Sequence, residues 1–182
     1  MQEYTDQELL EMFRKEDSRN LALHYIIKQY QQKLYWHIRK IIIDHEDTND
    51  VLQNTFIKTW KGLLNFKEEA KLYTWLYRIA TNESISFLRQ KKQTTLVSFD
   101  TVEHQLTKTL ESDNFFVGDE IQLKLQKAIL TLPEKQRIVF NMRYYDETPY
   151  DTMSEILETS AGALKASYHH AAKKIEDYLL NH

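Results

Sequence analysis

Apolar residues recur three and four positions apart through most of this chain, the spacing of one face of an α-helix. Thr5 and Glu8 have capping-box spacing, predicting a helix from there to about Glu16. A long pattern rich in aromatics and lysine predicts a second helix from Asn20 to about Ile43. A polar break follows at 44–48, where Asp47 or Thr48 is placed to cap a third helix ending near Leu64. Beyond a polar loop around Phe66, a fourth helix is predicted from Leu72 to Arg89, closing in the basic run Arg89, Lys91, Lys92. From 93 to 120 the periodicity disappears and Thr, Ser and acidic residues dominate, which reads as a linker. Helices resume at 121–130, 133–145, 149–157 and 160–180, with Pro133 and Pro149 where a first turn tolerates proline. The predicted fold is all-α: two helical domains, residues 1–92 and 121–182, joined by a flexible acidic linker over 93–120.

Three segments carry outward faces with chemistry of their own. In the third helix Leu52, Thr55, Phe56, Thr59 and Leu63 are predicted to point inward. Asp50, Gln53, Asn54, Ile57 and Lys61 point outward, and an apolar isoleucine among amides and charges suits a docking surface. The segment NFKEEAKLYTWLYRIATNESISFLRQKK interleaves aromatics with cations. Leu72, Trp75, Leu76, Ile79 and Ala80 form an apolar stripe, with Tyr73, Tyr77, Arg78 and Asn82 beside it. Such rings can stack on unpaired bases while lysine and arginine hold the backbone, or they can simply be core. Near the C-terminus a short helix, a three-residue turn and a longer helix have helix-turn-helix spacing, with Ser160 as N-cap. Ala161, Leu164, Tyr168, Ala171, Ile175 and Leu179 form the apolar face of that last helix. Gly162, Lys165, Ala166, His169, His170 and Lys173 oppose them. Small residues let the backbone approach closely, and the cations and imidazoles reach phosphates or base edges in a major groove.

Composition narrows the possibilities. The chain has 182 residues, no cysteine, three glycines and two prolines, too few turn formers for an all-β fold of this length. Without cysteine, disulfides and thiolate chemistry are excluded, which fits a reducing cytoplasm. No signal peptide and no run of about 18 apolar residues is present, so a cytoplasmic protein without membrane insertion is expected. The net charge of −3 argues weakly against nucleic acid, but its distribution is uneven. Residues 66–92 hold six basic and three acidic residues, whereas 93–120 hold one basic and six acidic. His169 and His170 point about 100° apart on a helix and share one ion poorly, so no metal site is expected. A glycine-rich phosphate loop and a nucleophile–base constellation are both missing. No catalytic residues and no cofactor are expected, and the chain is not read as an enzyme.

The stretches DTNDVLQNTFIKTWKGLLNF and YTWLYRIATNESISFLRQKK resemble region 2 of sigma-70 family RNA polymerase sigma factors of the extracytoplasmic-function subfamily. Asp47, Asp50, Gln53, Phe56, Lys58, Trp60, Trp75, Arg78 and Asn82 carry that resemblance. The segments LTLPEKQRIVFNMRYYDETPYDTMSEIL and SAGALKASYHHAAKKI resemble region 4 through Leu132, Pro133, Gln136, Arg137, Phe140, Ser160, Gly162, Leu164, Lys165, His169 and Ala171. Departures include Asn54 for a usual acid, Glu158 where the turn often holds glycine, and Ser167 for a frequent arginine. The resemblance implies a transcription initiation factor that binds bacterial core RNA polymerase and promoter DNA, and is held by an anti-sigma factor. It implies core-polymerase binding by Asp50, Gln53, Asn54, Ile57 and Lys61. It implies minus-ten DNA binding by Phe66, Lys71, Tyr73, Trp75, Tyr77, Arg78 and Asn82. Minus-35 DNA binding would fall to Ser160, Gly162, Lys165, Ala166, His169, His170 and Lys173. A rival reading, a helix-turn-helix activator or repressor whose first 92 residues sense a ligand or dimerise, leaves the region-2-like block unaccounted for.

Overall fold

The first helix, α1 (Asp6–Arg14), begins with the predicted capping box: Glu8 N–H donates to Thr5 Oγ1 at 3.3 Å and Thr5 N–H donates to Glu8 Oε2 at 2.7 Å. In the computed structural model, which describes residues 4–94 and 120–182, it is followed by α2 (Arg19–Ile42), α3 (His45–Gly62) and α4 (Leu72–Thr94). Then come α5 (Glu120–Leu130), α6 (Glu134–Tyr144), α7 (Tyr150–Leu157) and α8 (Ala161–Asn181). The described residues form no strand. The linker reading of 93–120 lies, from 95 to 119, outside the described residues, and α4 runs on to Thr94, past its predicted end at Arg89.

Helices α1 to α4 bury Leu9, Phe13, Ile26, Leu34, Ile38 and Leu76. Burying one such side chain contributes about 1.5–3 kcal/mol. A second cluster joins α5, α6 and α8 through Ala128, Ile129, Leu132, Phe140, Ala171 and Ile175. The first cluster also takes in Ile138, Met142, Met153, Ile156 and Leu164, so the two halves of the chain share apolar packing.

Helix α3 differs from its prediction in two ways. Its cap is Asp44, whose Oδ1 accepts from Asp47 N–H at 3.0 Å, rather than Asp47 or Thr48. Starting the helix at His45 puts Thr48 inside it and fully buried. The inward face is also rotated toward Val51, with Leu52 and Phe56 only half-buried. Thr48, Thr55 and Thr59 line this face, and each hydroxyl donates to the carbonyl four residues back (Asp44, Val51 and Thr55) at 2.5–2.8 Å. Each polar atom thus keeps a partner in the core. Gly62 closes the helix where a β-carbon would lie 3.0 Å from the Trp75 ring, so glycine permits this close approach.

In the C-terminal half Pro133 and Pro149 stand immediately before α6 and α7, where no helical N–H is lost. Glu158 ends α7 in the left-handed region (φ 50°, ψ 41°). A non-glycine residue there costs about 1–2 kcal/mol, partly offset because glycine is freer when unfolded. Glu158→Gly is therefore expected to stabilise the chain by about 0.5–1 kcal/mol, seen as a higher midpoint in denaturant unfolding. The exposed ion pair of Glu158 with Arg78, 3.4 Å apart, offsets little of this gain; an unchanged or lower midpoint would show that the pair outweighs the relief of the backbone.

Candidate polymerase and nucleic-acid interface

On α3 the structure leaves Asp50, Gln53, Asn54, Ile57 and Lys61 all exposed, with Ile57 44% accessible. The register that buries Val51, Thr55 and Thr59 sets them on the opposite side. Neighbouring charges tie α3 to α4 through ion pairs of Lys58 with Glu83 and of Lys91 with Asp47.

The aromatic segment is partly covered. Phe66 packs on Trp75 with ring centroids 4.9 Å apart, both half-buried, while Lys71 and Asn82 are exposed. Tyr73 stacks on Tyr77 at 4.1 Å, and Tyr77 in turn lies 4.7 Å from His37. Tyr77 is only 5% accessible, so its ring offers no free face in this arrangement. Burial drives its hydroxyl pKa well above the ordinary phenol value, and burial raises that of Tyr73 too. Arg78 donates to the main-chain oxygen of Glu155 through Nε (3.1 Å) and Nη2 (2.6 Å).

Helix α8 presents Gly162, Lys165, Ala166, His169, His170 and Lys173 to solvent. The opposite side buries Leu164, Ala171 and Ile175, and Tyr168 stacks on Phe140 at 5.6 Å. Ser160 is exposed, but its Oγ accepts from Ala163 N–H at 3.3 Å, so the hydroxyl fixes the helix start. The rings of His169 and His170 diverge by 57°. Among the described residues no three metal-ligating side chains gather.

Sequence reasoning did not single out His37, Lys40, Asn141 or Asp146. They meet between the two halves, where Lys40 ion-pairs with Asp146 and His37 Nδ1 lies 3.7 Å from Asp146 Oδ2. Burial alone would raise the Asp146 carboxyl, but His37 and Lys40 outweigh it and hold it below the usual carboxylate range. A lowered folded pKa means the contact contributes above the unfolded value, about 3.9, and is lost as pH falls through the folded one. The stability difference between the unaltered chain and Asp146→Asn is thus expected to shrink as pH falls below about 4. Denaturant titrations at several pH values check this, and a difference that grew on acidification would contradict it.

The arrangement defines a helical protein with one polar docking face and a helix-turn-helix whose second helix is open along its outer side. Comparison with known proteins agrees on both halves. The sigma-70 region 2 model matches residues 26–94, and the sigma-70 region 4 model matches 122–175. The RNA polymerase sigma-H factor of Pseudomonas aeruginosa is 27% identical over 182 residues, covering 96% of this chain and 93% of its own. The ECF RNA polymerase sigma-E factor of Escherichia coli K12 is 26% identical over 184 residues, covering 97% and 95%. Among solved structures, CnrH in complex with the cytosolic domain of CnrY superposes with a TM-score of 0.68 at 18% identity, covering 96% of each chain. RpoE with the anti-sigma factor NepR from Bartonella quintana gives 0.63 at 19% identity, covering 85% of this chain and 94% of its own. The chain belongs to the sigma-70 family, in its extracytoplasmic-function branch. It is a sigma factor, a non-enzymatic initiation factor that binds core RNA polymerase and directs it to promoter DNA. None of its described helices is long and apolar enough to cross a membrane.

Proposed function

We propose that the sigma activity is divided between the two halves as follows. Residues 1–92 dock on core polymerase through Asp50, Gln53, Asn54, Ile57 and Lys61. The same half holds the unpaired minus-ten strand with Phe66, Lys71, Tyr73, Trp75, Arg78 and Asn82, while buried Tyr77 supports Tyr73 from below. Residues 121–182 read the minus-35 element, with Gly162, Ala166 and Lys165 against the groove and His169, His170 and Lys173 toward the backbone. Ser160 sets the start of that helix. Residues 93–120 tether the halves, and their acidic balance suits a basic channel in the polymerase. The protein works in the cytoplasm, and an anti-sigma factor holds it there until it is needed.

The observation that carries this reading is the separation of faces on α3 and α8: Asp50, Gln53, Asn54, Ile57 and Lys61 are exposed opposite buried Val51, Thr55 and Thr59, and Gly162, Lys165, Ala166, His169, His170 and Lys173 are exposed opposite buried Leu164, Ala171 and Ile175. Photo-crosslinkers at Asn82 and Lys165, in a complex with core polymerase on promoter DNA, test it. Asn82 is expected to label unpaired DNA near the start site and Lys165 duplex DNA upstream. Exchange of the two targets, or loss of both with core still bound, would overturn the assignment.

A further inference from the structure

Helix α8 starts at Ala161 and carries the exposed Lys165 one turn in. Side chains on a helix lean toward its N-terminus, so Lys165 extends over the turn that holds Ala161 and Gly162. Neither of those residues has a side chain long enough to restrain it. What meets it is a ring on the preceding helix: Lys165 Nζ lies 5.7 Å over the centroid of Tyr150. Tyr150 is the first residue of α7 and is half-buried, packed against the main apolar core.

The same ring takes a second cation. Arg143, in the last turn of α6, places its guanidinium carbon 5.2 Å from the Tyr150 centroid. Its Nη1 donates to the Thr148 carbonyl at 3.2 Å and reaches the Glu147 carbonyl at 3.4 Å. Both carbonyls belong to the turn that leads into α7. Arg143 thus ties the ring and its turn to α6, while the ring receives Lys165 from α8. The negative face of a phenol ring attracts a cation within about 6 Å of its centroid, and both groups lie inside that limit. An ammonium has three N–H donors, so attraction to the ring leaves donors free for guanine O6 and N7.

We propose that Tyr150 is a positioning residue for minus-35 recognition: its ring, fixed from α6 by Arg143, holds Lys165 over the first turn of α8 and so selects the base pair that Lys165 reads. A free lysine samples many rotamers and must be ordered when DNA binds. Holding it beforehand lowers that cost and confines its reach along the groove floor. A cation–π contact at an exposed site corresponds to about a two- to fivefold effect, so the ring tunes recognition and does not create it.

This rests on the assignment of Lys165 to the groove, so the test reads the two separately. Holoenzyme assembled from core polymerase and the full chain is assayed by transcription from promoters in which each minus-35 base pair is replaced in turn. Lys165→Ala should relax discrimination at one position, which identifies the base pair. Tyr150→Leu keeps apolar bulk against the core but removes the ring. It should lower transcription from the unaltered promoter about two- to fivefold and relax discrimination at that same position alone. Tyr150→Phe keeps the ring and should match the unaltered chain. In the Lys165→Ala background Tyr150→Leu should change nothing further, because the side chain it acts through is gone. An equal loss with and without Lys165, or a loss spread over all positions, would make Tyr150 a structural residue and overturn the proposal. Relaxation by Lys165→Ala with none from Tyr150→Leu would overturn it too, with the groove assignment left standing. No relaxed position in Lys165→Ala would overturn the groove assignment, and this proposal with it.

Discussion

Ile57→Asp is expected to weaken binding to core polymerase about 30- to 1000-fold and leave the fold intact. An apolar anchor ringed by polar contacts commonly accounts for about 2–4 kcal/mol at an interface, and each 1.4 kcal/mol is a factor of ten. Ile57 is the apolar centre of an exposed face whose other members are Asp50, Gln53, Asn54 and Lys61. Within the chain the substitution should change stability by no more than about 0.5 kcal/mol, because the side chain is not part of the packed face of α3. Titration of labelled protein against core enzyme, beside a thermal melt, separates the two effects. Unchanged binding would move the docking surface elsewhere, whereas a collapsed melt would make Ile57 a core residue.

Gly162→Leu should abolish minus-35 recognition in a protein at least as stable as the original. Apart from its chain neighbours and its own helix backbone, no atom lies within 4 Å of where a β-carbon would stand at Gly162, so a side chain there starts into open space. Replacing a glycine inside a helix with leucine favours the helix by up to about 1 kcal/mol. On DNA the same side chain would stand between the start of α8 and the groove floor, where small residues permit close approach. Loss of one well-formed base contact is worth about 1–3 kcal/mol, and a steric block at the helix start removes more than one. The expected result is transcription reduced at least about 100-fold from promoters that depend on the minus-35 element, with core binding unaffected. Full activity would mean that α8 does not enter the groove by its N-terminal end.

Much of this was legible along the chain because helix periodicity and caps are local. The Thr5–Glu8 box, the Ser160 cap and the outward residues of α3 and α8 follow from spacings of three and four, and the structure places them accordingly. Other features were not local. Asp44 caps α3 because the chain enters there from the strained end of α2, where Ile43 has φ 70°. Spacing put Thr55 and Thr59 on the inward face of α3, but not the hydroxyl bonds to their own helix that satisfy them there. Tyr77 resembled a base-stacking residue, and only its packing against His37 and Tyr73 shows that it is covered. The contacts of Lys40 with Asn141 and Asp146 span 101 and 106 positions, a separation at which no periodicity announces a pair.

The most direct test of the sigma assignment is run-off transcription with purified core polymerase on fragmented genomic DNA from the source organism, with and without this protein. The expected result is a set of new, specific transcripts whose start sites share a pair of upstream elements, lost with Ile57→Asp and again with Gly162→Leu. Failure to bind core polymerase together with no new transcripts would contradict it.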